Sequence, residues 1–193
     1  MKDYHPQYTN DDLLALYSFS GGVPKYVELF CDNRVLTVDE MIDFMVRDNS
    51  PFTDEGKNLL IEEFGKNYGT YFSILSAISG GYNTQTEIEA LLGEKSLGGY
   101  LKRLIEDYNI VVRQRPVFSK EGSQTVRYEI CDNFIHFWFN YFDRNRSLIE
   151  IKNFVGLRKL IKADYPTYSG KILEQYFKQK YAESSEFRLI GSL

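Results

Sequence analysis

Near residue 108 the hydrophobic pattern changes its period, and that change restricts the fold more than any other feature of the chain. Upstream the pattern is helical. YFSILSAISGG is apolar at Tyr71, Phe72, Ile74, Leu75 and Ile78 and closes on a glycine pair. Thr84 then precedes QTEIEALLG, and Glu87 three residues later completes a capping-box signature, with Ile88, Leu91 and Leu92 as the inward stripe and Gly93 as the stop. Ser96 opens LGGYLKRLIEDYN, where Leu97, Leu101, Leu104 and Ile105 turn inward. Downstream the pattern is extended: IVVRQRPVF is rich in β-branched residues, SKEGSQ is a turn cluster and TVRYEI alternates, which together predict a β-hairpin. Helix, short helix, helix, hairpin is the order of a winged helix-turn-helix, and the short turn before the third helix fits it.

Helices are expected on both sides. Asn10 can cap a helix through Leu13, Leu14, Leu16 and Tyr17 that stops at Gly21-Gly22, and Pro24 suits the first turn of the next, PKYVELF. Thr37 and Glu40 form a second capping box before VDEMIDFMVRD. Residues 53–80 read as one helix interrupted at Gly65 and Gly69. After the hairpin, Asp132 or Asn133 caps DNFIHFWFNYFDRN, in which Phe134, Phe137, Trp138, Tyr141 and Phe142 make a broad apolar face. A core helix is the expectation for it, an exposed aromatic interface the alternative. His136 reads as a packing residue able to donate one hydrogen bond. Tyr165-Pro166 reads as a turn, followed by an amphipathic helix and a strand from Phe187. The fold class is thus mainly α with a small β-hairpin, a winged helix-turn-helix flanked by helical segments. It divides into a lid-like helical segment (1–52), the winged helix (53–133) and aromatic helices leading to the start of a further domain (134–193).

The polar, acidic N-terminal stretch is no signal peptide and no apolar run approaches the ~18 residues of a membrane span, so a cytoplasmic protein with no membrane partner is expected. Cys31 and Cys131 lie far apart, as do His5 and His136, which predicts buried thiols and no structural metal. There is no GxxxxGK phosphate loop followed by Ser or Thr, no GxSxG and no HExxH, so no catalytic residues are assigned. Acidic pairs such as Glu62-Glu63 read as solvated helix faces.

The net charge is -4, which argues against nucleic-acid binding as the business of the whole chain. Locally the balance reverses. Lys95, Lys102, Arg103, Arg113, Arg115, Lys120 and Arg127 stand against Glu106, Asp107 and Glu121, a balance of +4 over the third helix and the wing. Those elements meet the groove and backbone of duplex DNA in winged helices. Arg113 and Arg115, two apart on a strand, share a face. A docking face for a protein partner or for another domain of the same protein explains the charges equally well. Gly98-Gly99 at the start of the third helix would admit a phosphate or a packing helix.

The stretches LYSFSGGVPKYVELF, NYGTYFSILSAISGG, TEIEALLG, LGGYLKRLIEDYNIV, RYEICDNFIHFWFNYF and YSGKILEQYF, in this order, resemble the C-terminal part of the archaeal-type ATPases, P-loop proteins of the AAA+/STAND kind. The resemblance spans nearly the whole chain. It implies that Gly21, Gly22, Pro24 and Lys25 descend from the motif of the helical lid beside the nucleotide. It also implies that Glu174 matches a metal-holding Glu at the opening of a PD-(D/E)XK nuclease-like domain, with the strand FRLIGSL after it. The phosphate loop, the magnesium-binding Asp and the Asp and ExK of the nuclease are missing, so ATP and magnesium belong only to the full-length family. A non-catalytic module, truncated relative to that family, is the expectation.

Overall fold

Capping chemistry sets the first helices. The computed structural model describes residues 7–114 and 126–184. Helix α1 (Asn10–Ser20) is capped by Thr9 rather than Asn10: the Thr9 hydroxyl accepts from the Asp12 N–H (3.2 Å) while the Asp12 carboxylate accepts from the Thr9 N–H (3.3 Å). A reciprocal box satisfies two orphan donors where Asn10 alone would satisfy one. Asp12 also accepts from the Val38 N–H (3.1 Å), tying α1 to the start of α3. α1 ends at Gly21 in the left-handed conformation (φ 62°), which glycine adopts without penalty. α2 (Pro24–Asp32) has Pro24 in its first turn, and α3 (Val38–Met45) carries the Thr37–Glu40 box.

α4 (Glu55–Phe64) passes through one 3₁₀ turn at Gly65–Asn67 into α5 (Tyr68–Ser79). Only Gly65, at φ 52°, breaks the helix; Gly69 lies inside α5, where a single glycine costs about 1 kcal/mol and is tolerated. α6 (Gln85–Leu92) carries the Thr84–Glu87 box and ends at Gly93. α7 (Gly98–Glu106) leads to β1 (Val111–Gln114), which pairs antiparallel with β2 (Arg127–Ile130), Val111 opposite Ile130 and Gln114 opposite Arg127. α8 (Asn133–Phe137) is capped by Asp132, whose carboxylate accepts from the Ile135 N–H at 2.8 Å. It widens into a π turn at Trp138–Asp143, and α9 (Arg146–Glu150) follows.

α10 (Phe154–Ser184) runs straight through the expected turn, with Pro166 in its interior. A mid-helix proline forfeits a hydrogen bond. Burial compensates: Leu157, Ile161, Tyr168 and Ile172 recur at helical spacing in the core, and the Tyr168 hydroxyl meets the carbonyl oxygens of Ser18 (3.4 Å) and Asn133 (3.3 Å). The expected strand from Phe187 and the turn cluster after Gln114 lie outside the described residues.

One apolar cluster runs from Tyr8 to Ile172. Phe134, Phe137, Trp138, Tyr141 and Phe142 are all buried in it, so the aromatic segment is core and not an exposed interface. Tyr26 stacks on Phe134 at 4.2 Å, Phe52 stacks on Phe30 at 5.5 Å, and the Trp138 indole donates to the Thr53 carbonyl (3.1 Å). Leu91, expected inward, is 49% exposed, since α6 has one fully buried position, Ile88. The described chain is therefore mainly helical with one small antiparallel hairpin. Among the described residues no helix is long and apolar enough to cross a membrane.

Candidate nucleic-acid interface

The turn between α6 and α7 is held by a residue that its sequence context does not announce. The Glu89 carboxylate accepts from the Gln85 side chain (2.8 Å) and from the Leu97 backbone N–H (2.9 Å), and these bonds lower its pKa. Ser96 takes a left-handed backbone (φ 74°) to make the turn. α7 thereby starts at Gly98-Gly99. A side chain at Gly98 would touch Gln85 of α6 (3.5 Å), whereas the space beside Gly99 is open, so no helix packs there. Asn67, Ser96, Gly99, Tyr100 and Arg103 line a shallow cleft of about 220 Å³ next to it.

Lys95, Lys102, Arg103, Arg113 and Arg127 are all exposed. Arg115 and Lys120 lie outside the described residues. The five are not equally available. Lys102 pairs with Glu106 one turn on (3.6 Å), an exposed i,i+4 contact of a few tenths of a kcal/mol at most. Arg103 lies near the buried Tyr71 hydroxyl, which raises the guanidinium pKa, although that hydroxyl has no partner in hydrogen-bonding geometry. The Glu87 carboxyl is held down chiefly by the Thr84 hydroxyl and backbone, with a smaller contribution from Arg127. Strand register separates the arginines: Arg113 lies opposite Tyr128 and shares a pleat face with buried Val111, whereas Arg127 lies opposite Gln114 on the other face.

The lid-like motif sits at the α1–α2 junction. Gly21 and Gly22 both have positive φ, and Gly21 approaches α8, where an added Cβ would come within 3.8 Å of the Asn133 Cβ. Lys25 is engaged with Glu55 of α4 (2.5 Å), and the Tyr26 hydroxyl donates to the same carboxylate (3.1 Å). Glu174 pairs with Lys178 (2.6 Å) on α10. Among the described residues no group of three or more His, Cys, Asp or Glu side chains converges as metal ligands would. Cys31 and Cys131 are half-buried, and burial pushes the Cys131 thiol up to about 11.

A second cleft, about 620 Å³, opens between the hairpin and α10. Its walls are Gln114, Glu129 and Tyr128 on one side and Lys171, Glu174 and Lys178 on the other, with His136 among its lining residues. His136 stacks on Tyr168 (5.4 Å between centroids) and its Nε2 meets the Asn140 amide nitrogen at 3.0 Å, accepting a hydrogen bond where a donated one was expected. Burial, reinforced by the positive charges of Lys171 and Arg144, pushes His136 down to about 4. Sequence reasoning missed this cleft because its residues come from five separate stretches of chain.

Among known proteins, no family model matches the chain. No solved structure matches it either. A curated archaeal relative, the uncharacterized protein MJECL04 of Methanocaldococcus jannaschii, is 32% identical over 188 residues, covering 93% of this chain and 40% of that protein. The chain therefore spans less than half the length of the relative it matches.

Proposed function

We propose that the chain is a non-catalytic winged-helix module of an archaeal-type AAA+/STAND ATPase and that it contacts duplex DNA through α7 and the hairpin. In this reading α5, α6 and α7 are the three helices and β1–β2 the wing. The observation that carries it is the exposed basic set on those two elements of an acidic chain: Lys95, Lys102 and Arg103 at α7, Arg113 and Arg127 on the hairpin. The opposite facing of the two arginines suits a wing that enters a groove and meets both of its walls. The open space at Gly99 suits a backbone approach to phosphate. Alignment with under half of a longer archaeal protein is in keeping with a module of a larger polypeptide. Contacts of this kind give mostly nonspecific, salt-sensitive affinity. Fluorescence anisotropy with a labelled duplex in low salt tests it: binding should be weakened by Lys102→Ala/Arg103→Ala and by Arg113→Ala/Arg127→Ala. Absence of binding, or binding indifferent to both pairs, overturns it.

A second reading, a docking scaffold for a protein partner or for the ATPase's own domains, draws on apolar exposure. Leu173, Tyr176 and Phe177 are about two-fifths exposed on α10, and Tyr82 and Leu91 border a groove of about 230 Å³ beside Phe72. Light scattering that finds a dimer or a co-purified partner, in a protein that ignores DNA, would favour it.

A further inference from the structure

We draw no further inference here: the strongest candidate, the exposed apolar surface patch at Leu173, Tyr176 and Phe177 on the second half of α10, carries nothing because nothing in the structure shows what covers it.

Discussion

Replacing Gly56 with alanine sets two effects against each other, and the structure decides the sign. Gly56 lies in the first turn of α4, where helix propensity alone favours alanine over glycine by about 1 kcal/mol. The position is buried against the Trp138 indole: an added Cβ would overlap Cγ and Cδ2 of the ring and stand 2.8 Å from Cε2. The ring cannot easily turn away, because it is 3% exposed and its N–H is spent on the Thr53 carbonyl. Overpacking of this kind costs about 1–3 kcal/mol, and loss of the indole hydrogen bond about 1 kcal/mol more. The net effect of Gly56→Ala is a loss of about 2 kcal/mol, or roughly 4–8 °C in melting temperature for a chain of this size. The chain has one tryptophan, so urea unfolding followed by its emission reports both stability and the environment of the ring in question. An unchanged or raised midpoint with native emission would refute the close packing of α4 on the aromatic segment.

Two further outcomes follow from buried polar groups. His136 sits at about 4 in the folded chain against about 6.5 unfolded, so the unfolded chain takes up the proton first as pH falls. Its contribution is complete above pH 6.5 and declines toward pH 4 by up to about 3 kcal/mol, a slope that His136→Gln should remove in unfolding curves compared at pH 7 and pH 4.5. Asp12, 9% exposed, accepts from the backbone N–H groups of both Thr9 and Val38, so Asp12→Ala should destabilise by about 2–3 kcal/mol in thermal unfolding, and a neutral result would contradict that tie between α1 and α3.

Local chemistry was legible and long-range packing was not. Thr37 with Glu40, Thr84 with Glu87, the Gly21 and Gly93 stops and Pro24 at a helix start each act through neighbours within four residues, and each stands where its spacing placed it. Thr9 and Asn10 are adjacent capping types; what chose Thr9 was the Asp three positions on. Pro166 misled because its local cost is outweighed by the burial of Tyr168 and Ile172, with the Tyr168 hydroxyl bonded to α1 and α8. The alternation of TVRYEI placed Tyr128 and Ile130 inward, but the opposite facing of Arg113 and Arg127 depends on the pairing register of the two strands, which the sequence leaves open. The cleft between the hairpin and α10 draws Ser79, Gln114, Tyr128, His136 and Lys171 from five separate stretches of chain, and no spacing rule connects them.

Salt dependence of duplex binding tests the basic face most directly. With four to five phosphates met by α7 and the hairpin, the logarithm of the association constant should fall with the logarithm of salt concentration at a slope of about -4, and Arg113→Ala/Arg127→Ala should bring it to about -2. A slope near zero, or one that the double substitution leaves unchanged, would contradict the assignment of these side chains to phosphate.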